Sequence, residues 1–177
     1  MFELIEDADI PDVVSLMNRA YRGAGAAASW NSEAGYISGD RTTDALLRAE
    51  LKEKPEGSFL KWTDPSGRMT GCVWLEPLAG HVWYLGSLAS DPDLQKAGLG
   101  KTLLAASEQW VRERGGSCVR MTVVNVRDTL IAWYLRRGYH LTGKTEPFPY
   151  GDNRFGTPLR DDLSFVVLEK SLAASEA

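Results

Sequence analysis

The sequence predicts an α/β domain with an antiparallel start and one central strand–helix–strand crossover. Three observations predict it. Ser58 to Thr63 and Thr70 to Glu76 are strand-like runs separated by Asp64-Pro65-Ser66-Gly67, a turn sequence that makes them a hairpin. His81 to Ala89, then a helical stretch from Gly98 to Arg114, then Cys118 to Val124 form the crossover unit. The full order reads β-α-(loop)-α-β-β-β-α-β-α-β-β, the mixture expected of a sheet covered by helices.

Phe2 to Ile5 is a short strand, and Asp9 reads as the N-cap of the first helix, with Pro11 in its first turn. Ile10, Val13, Val14, Met17 and Tyr21 form one apolar helical stripe that stops by Gly23. Gly23 to Thr43 is rich in glycine, alanine and serine, but Trp30, Tyr36 and Ile37 mark it as an ordered excursion. Asp44 to Leu51 is a short helix ending before Pro55. Pro77 to Gly80 makes a second turn. The Gly98–Arg114 helix carries Leu99, Leu103, Ala106 and Trp110 on one face, and Gly115-Gly116 closes it. Asp128 to Arg137 is a helix ended by Gly138. Tyr139 to Thr142 and Leu163 to Lys170 are the last strands. The long connection from Lys144 to Asp162 is aromatic at Phe148, Tyr150 and Phe155, which reads as an ordered loop over a site. The tail from Ala173 frays.

Length and charge bound the function. The chain has 177 residues, one domain spanning 1–177. Lys plus Arg is 20 and Asp plus Glu is 24, a net charge of −4, which argues against nucleic acid or anionic membrane as a partner. The 2 cysteines and 2 histidines lack the short paired spacing of a metal site, so no metal is expected. Cys72 and Cys118 lie inside strand patterns and read as small buried hydrophobes rather than nucleophiles or a disulfide. The acidic start, Met1-Phe2-Glu3-Leu4-Ile5-Glu6, is unlike a signal peptide, and no apolar run reaches the length of a membrane span. The expectation is a cytoplasmic protein, monomeric or homodimeric.

Glycine, at 17 residues, is the compositional outlier, and its placement is informative. In Leu88-Ala89-Ser90-Asp91-Pro92-Asp93-Leu94-Gln95-Lys96-Ala97-Gly98-Leu99-Gly100-Lys101 a strand runs through a turn into glycines that open a helix. Unpaired first-turn amides and the helix dipole make such an end a seat for phosphate. Gly98-Leu99-Gly100-Lys101-Thr102 lacks Walker spacing, and two glycines after a late strand are not a Rossmann fingerprint. Taken alone, Gly-x-Gly at a helix start equally reads as tight helix–strand packing.

Gln95-x-x-Gly98-x-Gly100, preceded by Leu88 to Pro92, resembles the coenzyme A motif of the GNAT acetyltransferase superfamily. Asn125-Val126-Arg127-Asp128 through Trp133-Tyr134-Leu135-Arg136-Arg137-Gly138-Tyr139 resembles that family's later motif. The element order fits from Phe2 to Lys170. The loop Trp30 to Glu33 with Gly39 to Thr42 resembles a Trp-x-x-Glu … Gly-x-Arg-Thr stretch of a subset of small stand-alone members. The resemblance implies a mixed, mostly antiparallel sheet flanked by helices and splayed between its fourth and fifth strands, with Gly86 as a candidate for the bulge that starts the splay. It implies acetyl-CoA as co-substrate. The pantetheine arm would meet Leu88, Ala89 and Ser90, and the pyrophosphate would lie over Gln95, Lys96, Ala97, Gly98, Leu99, Gly100 and Lys101. The family often has Asn seven residues before the catalytic Tyr. Here that place is Arg127, with Asn125 two residues earlier, and both are candidates for coenzyme contact; Arg127 alternatively meets a substrate carboxylate or is surface charge.

The resemblance further implies acetyl transfer to a primary amine by direct attack, with Tyr134 as general acid. Glu33, Glu76 and His81 are candidates for a general base. In the acceptor-facing loops, Trp30 can anchor, Glu33 and Asp40 can hold an ammonium, and Arg41 a carboxylate or a pairing with Asp40. The acceptor is expected to be a small-molecule amine. The alternatives are a non-catalytic acyl-CoA-binding module, a nucleotide-binding signalling domain, or a protein N-terminal or lysine acetyltransferase.

Overall fold

The computed structural model describes residues 1–23 and 32–172, with Gln95 and Lys96 described in their main chain only. In chain order the elements are β1 (Phe2–Leu4), α1 (Ile10–Arg22), β2 (Ile37–Ser38), α2 (Asp44–Glu53), β3 (Ser58–Thr63), β4 (Met69–Pro77) and β5 (Val82–Ser90). There follow α3 (Leu99–Glu113), β6 (Cys118–Val124), α4 (Asp128–Leu135), β7 (His140–Pro147), β8 (Thr157–Pro158) and β9 (Ser164–Ser171). Seven strands form one mixed sheet in the order β1-β3-β4-β5-β6-β9-β7. Every neighbouring pair is antiparallel except β5 and β6, which the α3 crossover joins in parallel.

Alternation along the strands sends side chains to two faces. Leu60, Val73 and Leu75 pack with Leu103, Leu104 and Val111 of α3 and Leu130 of α4. Phe59 and Cys72, one residue out of step, pack instead with Val13, Leu16 and Met17 of α1 and Leu47 of α2. Each fully buried Leu or Val of this kind contributes about 1.5–3 kcal/mol by leaving water. The sheet is thus covered on both faces, α1 and α2 on one and α3 and α4 on the other.

Three local expectations change. Asp9 stands at the N-cap position of α1, but its side chain makes no capping bond to that helix. Its carboxylate accepts from the Glu6 amide at 2.7 Å and from Lys61 Nζ at 2.8 Å, closing the 3₁₀ turn that precedes the helix. The strand expected to end at Thr142 continues to Pro147 after a register shift between Leu141 and Thr145, where Gly143 has positive φ. The two long loops also contain a ribbon of their own: β2 pairs with β8, Ile37 opposite Pro158 and Ser38 opposite Thr157. A third apolar cluster of Ile37, Val124 and Leu163, flanked by Tyr36, Phe148 and Phe165, fastens that ribbon to the end of β6.

Candidate active site

β5 and β6 are in register only from Val82–Tyr84 against Cys118–Arg120. Beyond Tyr84 they part: β5 stays on β4 and β6 stays on β9. The β5 edge from Leu85 onward therefore has no strand partner on the β6 side, and buried main-chain groups without partners are costly. Between the pairs Trp74–Gly86 and Cys72–Ala89, β5 carries one residue more than β4. The bulge thus falls at Ser87-Leu88, with Ser87 at φ 51°, one position beyond Gly86. Gly86 does something else: a Cβ there would stand 2.8 Å from the Tyr84 ring. That ring reaches over the gap, its hydroxyl 3.3 Å from Thr122 Oγ1 on β6. The bulge is held from behind by Tyr21 of α1, whose hydroxyl donates to the Leu88 carbonyl at 2.7 Å.

Where β5 ends, Asp91 is fully buried between the guanidinium groups of Arg19 and Arg68. It accepts from the Asp93 amide at 3.0 Å and so starts the 3₁₀ turn Pro92–Ala97 that contains Gln95 and Lys96. Gly98, at φ 68°, turns this segment into α3, a backbone state that glycine adopts without strain. The first turn of α3 carries no acidic residue, and the Thr102 amide returns to the Gly98 carbonyl at 3.2 Å. The amides before it point out of the helix start, at its positive end. Ala97, Gly98 and Lys101 are exposed there, with Leu99 and Gly100 half-buried.

A cavity of about 210 Å³ fills the gap between β5 and β6. Tyr134 of α4 lines it. Its ring is fixed edge-on against Trp133 and Tyr139, at centroid distances of 5.1 and 5.6 Å. Burial pushes the Tyr134 hydroxyl up to about 12, partly offset by the Arg127 charge, so it keeps its proton at neutral pH. Cys72 is likewise pushed up to about 12 by burial and stays a thiol.

Glu33 and Arg127 also line the cavity, joined to each other. Glu33 Oε1 accepts from Arg127 Nη1 at 3.1 Å, and Oε2 from Arg22 Nη2 at 3.2 Å. All three side chains are at least nine-tenths buried. Arg22 extends the cluster to both loops, donating to the carbonyls of Gly39 (3.0 Å) and Phe155 (2.7 Å). Glu33 is therefore the anion that holds two buried arginines, and Arg127 is a wall of the cavity rather than surface charge. Asn125 donates to the Asp162 carbonyl at 3.0 Å and accepts from the Ser164 amide at 3.1 Å, which commits its amide to the start of β9. Glu76 accepts from Trp74 and Lys54, and it and His81 line neither this cavity nor the one beside it. Trp30 lies outside the described residues.

The second cavity, about 320 Å³, adjoins the first: Arg41, Tyr84, Gly86, Ser87 and Phe155 line both. The Arg41 guanidinium lies over the rings of Tyr21 and Phe155, at 5.7 and 5.3 Å, and is not paired with Asp40. Thr43, not Asp40 or Arg41, caps α2, through the Leu46 amide at 3.2 Å. Sequence reasoning missed Tyr21, Arg22, Tyr84 and Glu50 as parts of the site. Tyr21 sits on a helical stripe that reads simply as core. The others carry no motif.

A family model matches residues 15–139, that of the Acetyltransferase (GNAT) family. The chain belongs to the GNAT acetyltransferase family. It is similar to the mycothiol acetyltransferase of Salinispora arenicola (strain CNS-205), 35% identical over 109 residues, which are 56% of this chain and 34% of that protein. It is 29% identical over 157 residues to the mycothiol acetyltransferase of Rhodococcus jostii (strain RHA1), covering 76% of this chain and 50% of that protein. The chain thus spans a third to a half of the length of these curated relatives. In fold it is similar to the PaiA N-acetyltransferase from Thermoplasma acidophilum solved in complex with coenzyme A, with a TM-score of 0.68 at 16% identity over 97% of this chain and 98% of that one.

GNAT acetyltransferases use acetyl-CoA, and the residues present fit it. The parted β5 edge offers unladdered peptide groups to a pantetheine arm, and the start of α3 offers amides and Lys101 to a pyrophosphate. Among the described residues no cluster of three or more His, Cys, Asp or Glu is placed to hold a metal ion. No described helix is long and apolar enough to cross a membrane.

Proposed function

We propose that the chain is an acetyl-CoA-dependent N-acetyltransferase acting on the primary amine of a small molecule, by direct attack with Tyr134 as general acid. The observation that carries this reading is the position of the Tyr134 hydroxyl, in the wall of the cavity between the parted strands. When bound, acetyl-CoA supplies the acetyl group as a thioester. The peptide groups of Leu88, Ala89 and Ser90 orient the arm, as does Arg127 in the cavity wall, while Asn125 acts at one remove by fixing the start of β9. The segment Gln95 to Lys101 holds the pyrophosphate. Tyr134 holds its proton at Oη and releases it to the departing sulfur, whose thiol has a pKa of about 8.5 in water. The amine attacks in its neutral form, and the proton it sheds as the amide forms returns to Tyr134 Oη through solvent, which regenerates the hydroxyl. The names of the curated relatives, which are acetyltransferases, and of the PaiA enzyme, an N-acetyltransferase, support the reaction class.

The test is acetyl transfer over an amine panel at saturating acetyl-CoA, with wild type and Tyr134→Phe. The wild type turns over at least one small amine, and the variant binds coenzyme A unchanged while its kcat collapses. A variant with unaltered kcat removes Tyr134 from the chemistry. Coenzyme binding without turnover of any amine makes the chain a binding module.

A further inference from the structure

The second cavity holds two half-buried charged side chains that make no ion pair with any described residue. Five charged side chains line it: Arg41, Glu50, Glu53, Lys54 and Arg154. Lys54 is engaged by Glu76 at 3.3 Å, and Arg154 by Asp152 at 2.7 Å. Glu53 is exposed at the rim. That leaves Arg41 and Glu50. Among the described residues, neither has an ion-pair or side-chain hydrogen-bond partner, although both are half-buried. Arg41 is instead kept in place by the faces of Tyr21 and Phe155. Half-buried polar groups without protein partners are normally satisfied by water or a ligand. Burial raises the pKa of the Glu50 carboxyl, and the nearby Arg41 charge is the largest influence opposing it. Phe59, Trp74 and Phe155 give the chamber an apolar wall beside these charges. It opens onto the bulge through the residues it shares with the first cavity.

We propose that this chamber is the acceptor subsite and that it selects an amino acid with an apolar side chain. Arg41 receives the carboxylate, Glu50 the ammonium, and Phe59, Trp74 and Phe155 the side chain. The inference rests on the acetyltransferase reading and names the acceptor class for it. A planar guanidinium pairs two-pronged with a carboxylate, so Arg41 fixes orientation as well as charge. Arg41 borders both chambers. A carboxylate held there keeps the amine one carbon away, where Glu50 takes its proton and the neutral amine then faces the passage between them.

The test is equilibrium binding to the protein saturated with coenzyme A. The probes are L-leucine, L-methionine and L-phenylalanine, their methyl esters, and their N-acetyl derivatives. The free acids should bind at least tenfold more tightly than the esters. Arg41→Met should erase that preference, and Arg41→Lys should restore part of it. Glu50→Gln should weaken the free amino acids at least fivefold while leaving the N-acetyl derivatives, which lack the ammonium, unchanged. Equal binding of acids and esters, no binding of any free acid at millimolar concentration, or an intact preference in Arg41→Met would overturn the assignment. Acetyl transfer is followed in parallel. Turnover of esters and acids alike overturns this subsite and leaves the acetyltransferase reading standing. Acid-selective binding without transfer supports the subsite and overturns that reading.

Discussion

The wall of the site formed by β5, β6 and α4 is packed by apolar side chains, whereas the wall formed by the two long loops is held by charges. Leu85, Met121, Val123, Leu130 and Tyr134 belong to the same cluster as Leu103 and Val119. Across the cavity, Glu33 joins Arg22 and Arg127, and Arg22 carries the loop carbonyls of Gly39 and Phe155. Dispersion and burial are non-directional and tolerate exchange of one apolar residue for another. A buried ion cluster tolerates almost none, because removing one member leaves its partners charged and unpaired. The strand side is thus generic packing that many sequences can supply. The loop side is a specific arrangement in which few residues are replaceable.

The comparison can be broken at four points. The largest effect is expected at Tyr134→Phe, where kcat falls about 10²- to 10⁴-fold with the KM for acetyl-CoA nearly unchanged, as steady-state kinetics will show. Glu33→Ala is expected next. It removes the carboxylate that Arg22 and Arg127 share in a buried wall and costs about 3–5 kcal/mol, read as a lowered urea midpoint. A loss below about 1 kcal/mol would mean that the loop wall is not held by this cluster. Tyr21→Phe deletes a single hydroxyl from the bulge and costs about 1–3 kcal/mol, with the KM for acetyl-CoA as second readout, because the Leu88 carbonyl is left without its donor.

The fourth effect is alkaline and spread over four side chains. Burial raises the hydroxyl pKa of Tyr21, Tyr36, Tyr134 and Tyr139. Unfolded tyrosines lose their protons near pH 10. Stability from these groups is therefore complete below about pH 10. It drains as pH rises from there, because the unfolded chain releases protons that the folded one retains. Urea midpoints at pH 9, 10 and 11 should fall in that order, and a flat series would place these hydroxyls in water.

The apolar half of the comparison was legible in the sequence, and the charged half was not. Hydrophobic periodicity located α1, α3, β3, β4, β5 and β6 to within a residue or two, since each buries one face over several turns or alternations. The resemblance of Gln95 to Gly100 and Asn125 to Tyr139 named the right family. The ribbon of Ile37 and Ser38 with Thr157 and Pro158 left no signal, because two residues are too few for a period. The Glu33–Arg127 pair joins residues 94 apart, and nothing local marks either as the other's partner. The rule that a glycine inside a strand marks a bulge points to Gly86. The bulge's position at Ser87 depends on the register against β4, which only the folded sheet defines.

Tyr21 touches both sides of the site at once. Its hydroxyl holds the Leu88 carbonyl of the bulge, and its ring carries Arg41 of the second chamber. A molecule that shifts the bulge therefore shifts the surface on which Arg41 rests, and one that pulls on Arg41 is felt at the bulge. By thermodynamic reciprocity the two affinities must move together by the same factor, in whichever direction. A single phenol thus makes the strength of that coupling a property of helix α1.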